Sequence, residues 1–333
     1  MSHLKTAIIT ALLSATALTA SPVFAKDLRI ALQSDADVLD PDQSRTLVGR
    51  IVYASMCDKL VDITPDLEII PQLATSWTTS DDGTSVTMQL REGVVFHDGT
   101  PFNAEAVAAN IERSQTLDES RRKSELKSIT STEVTGEHEI KLNLAGADAT
   151  LLAQLADRAG MMISPTAATA AGVDFGLNPV CSGAFSFTER VAQDKIVLTK
   201  FADYWNADAI HFDSVTFLPI PDTTVRLANL QSGDIDMLER LAATDLSQAN
   251  GDSSIVVVDA VSIGYQGITF NINNGEKGNN PWGTDKRLRQ ALSFAIDRSA
   301  LNQVVFDGAY APGNQSFPPS SPWYNTLIIE AVP

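Results

Sequence analysis

The sequence predicts a mixed α/β protein with more than one lobe. Roughly 300 residues remain after a leader-like first segment, more than one average domain holds. Strand-like alternation and helix-like periodicity follow one another along the chain. No fixed repeat and no low-complexity linker interrupts them.

Residues 1–25 read as an export address. His3 and Lys5 precede an apolar run from Ala7 to Ala20, and Val23-Phe24-Ala25 supplies the small residues a signal peptidase reads, so cleavage is expected after Ala25. The run is shorter than the ~20 apolar residues of a membrane span. No cysteine follows the cleavage point to carry a lipid. A buried first helix is the alternative.

The elements follow in order. Leu28 to Leu32 reads as a short strand, and Ser34 to Asp42 as a turn-rich acidic loop. Its carboxylates invite a calcium reading, but an EF-hand counted from Asp35 needs Gly and Glu where Asp40 and Thr46 stand. The loop is therefore read as structural. Val48 to Leu60 has helical spacing. Asp81-Asp82-Gly83 turns into a strand at Thr84 to Leu90, and Val94-Val95-Phe96 reads as another. His97 to Pro101 is a turn, and Asn103 caps a helix from Ala104 to about Ser114.

Leu117 to Lys127 is charged and reads as solvated. Thr132 to Leu144 is a hairpin turning at Gly136-Glu137, and Leu151 to Ala159 and Pro165 to Ala171 are helices. Ile196 to Phe217 is strand, turn, strand, with Tyr204-Trp205 in the connection. A helix from Thr223 to Ser232 stops at Gly233. Ile255 to Asp259 and Gln266 to Ile272 read as strands. Leu288 to Val305 reads as one amphipathic helix, entered after Asp285 and stopped at Gly308.

The formal charge is −17, and loss of a leader holding Lys5 and no acid makes it −18. So acidic a surface repels phosphate backbones and anionic lipid heads, which excludes nucleic acid as a partner. Two cysteines, Cys57 and Cys181, are left open between a disulfide, which export permits, and two buried thiols.

No reactive constellation stands out. The histidines, His3, His97, His138 and His211, lack zinc-site spacing, so no metal is expected. No G-x-S-x-G elbow, phosphate loop or dinucleotide fingerprint occurs, and no cofactor is expected. His97-Asp98 resembles an acid–base pair, but adjacent turn residues seldom face each other and no nucleophile accompanies them. Trp77, Tyr204, Trp205, Trp282 and Trp323 suit a cleft wall, and equally suit packing.

A longer ordered pattern carries more weight. Pro71 to Trp77, Asp82-Gly83, Leu90 to Val94 and Phe96 to Val107 resemble the signature stretch of the extracellular solute-binding proteins, family 5. Asp203-Tyr204-Trp205, Gln231 to Asp236, and Arg287 to Ser293 with Ala295 to Arg298 extend the resemblance over most of the chain. It implies a two-lobed periplasmic binding protein of class II type with an extra subdomain. Residues 26–46 and 182–262 would form the core of lobe one and 47–181 the extra subdomain. Residues 263–333 would cross the hinge and begin a second lobe that stays incomplete.

The resemblance further implies a non-enzymatic, monomeric periplasmic receptor. It would deliver a small solute, such as a peptide, to the permease subunits of an ABC importer and their ATPase. A non-functional or protein-interaction fragment of such a receptor and an exported hydrolase are the alternatives. On the same footing, Asp40, Thr46, Ser182, Gly183, Tyr265 and Asn271 are the expected ligand contacts. The family's Gly-Thr-Gly-Pro-Phe loop is replaced by Cys181-Ser182-Gly183-Ala184-Phe185, which alters the cleft and gives Cys57 a candidate partner.

Overall fold

The computed structural model describes residues 26–258, 264–319, 321 and 323–328. The expected leader lies outside them.

The chain opens with β1 (Asp27–Leu32). The acidic loop follows, then α1 (Leu47–Met56), capped by Thr46, whose hydroxyl accepts from the Gly49 N–H at 3.0 Å. Next come β2 (Val61–Ile63), β3 (Ile69–Pro71), β4 (Ala74–Thr79) and β5 (Ser85–Leu90). Asn103 caps α2 (Ala104–Thr116) as its sequence predicts. The hairpin is β6 (Ile129–Gly136) and β7 (Glu139–Leu144), and α3 (Leu151–Leu155) and α4 (Pro165–Ala171) follow.

The chain then forms β8 (Phe185–Val191), β9 (Lys195–Lys200) and β10 (Ser214–Pro219). After them come α5 (Thr223–Ser232), β11 (Met237–Leu238) and α6 (Leu246–Asn250). The last helices are α7 (Pro281–Thr284), α8 (Lys286–Ala295) and α9 (Arg298–Phe306).

Two main sheets result. One is mixed, in the order β11-β1-β10-β9-β8, with β1 parallel to both β10 and β11. The other is antiparallel, β4-β5-β7-β6. Each covers its own core. Met88, Ile140 and Leu142 of the antiparallel sheet pack with Val107 of α2 and with Phe96 and Phe102, which meet edge to face. Ile196, Leu198, Val215 and Phe217 of the mixed sheet pack with Val52, Tyr53 and Met56 of α1 and with Phe175. With α1, the residues Met161, Ile163, Ala168, Phe175 and Cys181 pack with the mixed sheet, whereas Met162 packs with the antiparallel one.

Several expectations are corrected. Val94 to Phe96 makes only the single bridge Val95–Pro101, since a tight turn follows at once. The 117–127 segment is not simply solvated. Leu126 is fully buried, and the buried Arg122 pairs with Glu125 and donates to the Ser44 carbonyl. The helix from Leu151 ends at Leu155, before a short 3₁₀ turn at Arg158–Gly160. A side chain at Gly160 would meet the Leu155 carbonyl oxygen at 1.8 Å, so the close return needs glycine.

The helix from Val48 stops at Cys57, which is extended. β8 is a strand in addition to those read above. Residues 255–258 and 266–272 are not strands and lie largely exposed; Asp259 falls outside the described residues. The helix over Leu288 to Val305 is two helices, broken where Ile296 turns extended and Asp297 caps α9. Neither core takes a residue from beyond Phe217 among those described. Large apolar side chains after that point, such as Ile268, Phe294, Val304 and Trp323, are exposed.

Candidate functional site at the ends of the parallel strands

Because β1, β10 and β11 run parallel, their carboxyl ends meet along one edge of the mixed sheet. In open α/β sheets the crevice beyond such ends is where ligands sit. Gln33, Ile220, Glu239 and Arg240 occupy that edge. Arg226, on α5 and almost wholly buried, donates to the carbonyls of Ile220 (2.6 Å), Pro221 (3.0 Å) and Arg240 (3.2 Å). One guanidinium therefore ties the exits of two strands together. Arg240 has φ +57°, unfavourable for a side-chain-bearing residue, and reaches Gln33 Oε1 at 3.3 Å. Burial raises the Glu239 carboxyl, opposed by Arg240, the Gln33 N–H and Arg226.

The six expected contacts separate into two groups. Asp40 is fully buried and takes the Arg113 guanidinium at 2.7 Å, while Asp42 shares the same arginine and accepts from Ser114 at 2.6 Å. Asp40 thus joins the acidic loop to α2. Thr46 is spent on the α1 cap and on Asp37. Ser182 is buried, with its hydroxyl on the Met162 carbonyl.

Gly183 donates its N–H to Met56 O at 2.7 Å, and a Cβ there would meet the Met56 carbonyl at 2.5 Å. The close approach that requires glycine at this position is to α1. Tyr265 and Asn271 are exposed, and Asn271 closes a local turn with Asn274.

Cys57 and Cys181 are bonded, with Cα atoms 4.8 Å apart. The 181–183 loop is gripped a second time by His97. Its Nε2–H donates to Gly183 O at 2.9 Å and its Nδ1 accepts from Cys181 N–H at 3.3 Å, which sets the neutral tautomer. Burial lowers the His97 pKa, opposed by Gly183 and Asp98. Asp98 faces away to Ser164 and Thr100, so the adjacent pair is not an acid–base couple.

Asp58 is a group the sequence does not single out. Its carboxylate is buried and accepts from Trp205 Nε1 (2.6 Å), Gln72 Nε2 (3.2 Å) and Tyr204 OH (3.3 Å). Arg91 lies over the Trp205 ring. Trp205 and Tyr204 are thereby packing and anchoring groups. Their signal was the Asp-Tyr-Trp run, but its partner lies 147 residues away from Trp205.

Known proteins place this arrangement. Residues 68–332 match the family described as bacterial extracellular solute-binding proteins, family 5 Middle. The chain belongs to that family. The glutathione-binding protein GsiB of Escherichia coli K12 is 33% identical to this family 5 chain over 308 residues. That match takes in 92% of the chain and 59% of GsiB, so the chain spans well under two thirds of the curated relatives it matches.

Among solved structures, the ABC transporter-associated periplasmic binding protein DppA from Helicobacter pylori, in complex with peptide STSA, superposes with TM-score 0.80 at 26% identity. The superposition covers 91% of this chain and 63% of that one. AgaA from A. tumefaciens R10, in complex with agropinic acid, gives 0.74 at 26% identity over 85% and 56%. The family 5 chain thus has the mixed α/β fold of periplasmic binding proteins. Among the described residues no helix is long and apolar enough to cross a membrane.

Proposed function

We propose that this family 5 chain is the solute-capturing, non-enzymatic component of a bacterial ABC importer. It acts in the periplasm after cleavage at Ala25 and hands a peptide or similar small solute to the permease subunits and their ATPase. The observation that carries this reading is the family match over residues 68–332, seated on a sheet whose parallel strands end together. Gln33, Glu239 and Arg240 form the wall of the site, with Tyr265 and Asn271 on the segment that follows. Asp40, Thr46, Ser182 and Gly183 hold α1, α2 and the 181–183 loop in place. Capture proceeds by closure of a second lobe over this edge, with affinity drawn from contacts unique to the closed state. The chain works as a monomer.

A protein-interaction role is the second reading. The exposed apolar residues beyond Phe217 favour it. Native mass spectrometry of the protein purified from a periplasm separates the two. A released small molecule in the peptide mass range supports capture; a bare mass with a co-purifying polypeptide supports the interaction role and overturns capture. Denaturing mass on the same sample tests cleavage after Ala25.

A further inference from the structure

The 181–183 loop is held from two sides by chemically different fasteners. From α1, Cys57 binds it covalently and Met56 O takes the Gly183 N–H. From the 97–101 turn, which packs with the antiparallel sheet's core, His97 holds it through three contacts. Besides the two ring contacts, the His97 backbone N–H donates to Cys181 O at 2.8 Å. The ring also lies edge-on to Phe201, with centroids 4.9 Å apart. The loop runs directly into β8, the edge strand of the mixed sheet. What holds the loop therefore also fixes how that strand leaves the packing boundary.

We propose that this loop is a junction with two keys, a disulfide and a proton, and that only turning both loosens it, with the backbone bonds to Met56 and His97 left as its remaining ties. Reduction alone leaves the His97 grip. Acid alone leaves the Cys57–Cys181 bond. A trialkylphosphine turns the first key: two electrons pass from phosphorus to the sulfur pair, the oxygen of one water goes to the phosphine oxide, and its two protons make two thiols. A solvent proton taken up at His97 Nδ1 turns the second. It replaces the acceptor facing the Cys181 N–H with a second donor, and that hydrogen bond is lost.

The charged group that faces His97 on its own turn is Asp98, itself tied to Thr100 and Ser164. The loop brings backbone groups and bonded sulfur, and the 201 region brings the Phe201 ring. A folded pKa below the ordinary histidine value means the neutral grip is complete above ~6.5 and is lost as pH falls from there.

Hydrogen exchange at the Cys181 and Gly183 amides, corrected for intrinsic rate, tests this on the full chain at ~pH 7.5 and ~pH 5, with and without phosphine. The expected result is native protection in three of the four conditions. At the fourth, reduced and acidic, exchange at both amides speeds up tenfold or more. His97→Gln, neutral throughout, loses the acid response in the reduced state. Tenfold faster exchange on reduction alone overturns the proposal. Unchanged protection in the reduced, acidic sample does so too, as does a His97→Gln variant that responds to acid like the parent. The phosphine arm needs no substitution and decides the matter if the variant does not fold.

Discussion

Asp58→Asn tests whether the fold carries a buried charge at a cost. Burial is the largest influence on the Asp58 carboxyl and pushes its pKa up to about 6, against the opposing hydrogen bonds from Trp205 and Tyr204 and the nearby Lys59. The folded state therefore holds this proton more tightly than the unfolded chain, whose carboxyl titrates near 3.8. The contribution is fully present below about pH 4 and is lost as pH rises through about 6. Raising a carboxyl from 3.8 to about 6 corresponds to roughly 3 kcal/mol.

Asparagine keeps an oxygen for the Trp205 N–H and carries no charge to desolvate. Urea unfolding of both proteins, from about pH 4 to about pH 7, should show the variant gaining on the parent by roughly 3 kcal/mol, with the change centred between about 4 and 6. Other carboxylates, such as Asp37 and Asp98, are lowered and push the other way, but they are common to both chains and cancel in the difference. A difference that stays flat with pH would refute the reasoning.

Three further outcomes follow from the geometry. Replacing Cys57 and Cys181 by serine opens a link between residues 124 apart and should lower unfolding free energy by about 5 kcal/mol on the chain-entropy account; denaturant midpoints with and without reductant read it. Arg113→Met strands Asp40 and Asp42 in the interior and should cost about 3–5 kcal/mol, again by denaturation. Gly183→Ala drives a methyl into the Met56 carbonyl and should cost about 3 kcal/mol; a variant as stable as its parent would undo the packing role assigned to that glycine.

How much of this was legible depended on the range of the interaction. Caps and stops were readable because their partners lie within four residues: Asn103 on Ala106, and Gly233 ending α5. Arg122 looked solvated because its burial comes from Glu125 and Ser44, and the latter lies 78 residues away. Segments 255–258 and 266–272 have strand composition, but composition does not supply a neighbouring ladder. One amphipathic pattern from Leu288 to Val305 hid a break, because Asp297 caps a helix as readily as it sits in one.

The site was harder still. Buried Asp40 and Ser182 carry the polarity of ligand contacts, and their partners Arg113 and Met162 are visible only in the fold. Asp58 gave no local signal, and His97 gave a misleading one beside Asp98, since their main partners, Trp205 and the 181–183 loop, lie far along the chain.

Both cores close within residues 26–217, which bears on the order in which the chain acquires structure. A polypeptide released amino end first can bury Phe96, Phe102, Leu198 and Phe217 before Ile268 or Phe294 has emerged. The two large cores need nothing from beyond Phe217, so folding can run vectorially, with Leu227 of α5 and Ile235 before β11, both buried, and then the late helices added to a platform already packed. Destabilising substitutions in the first 217 residues should therefore hold up everything after them, whereas those in α8 or α9 leave the platform standing.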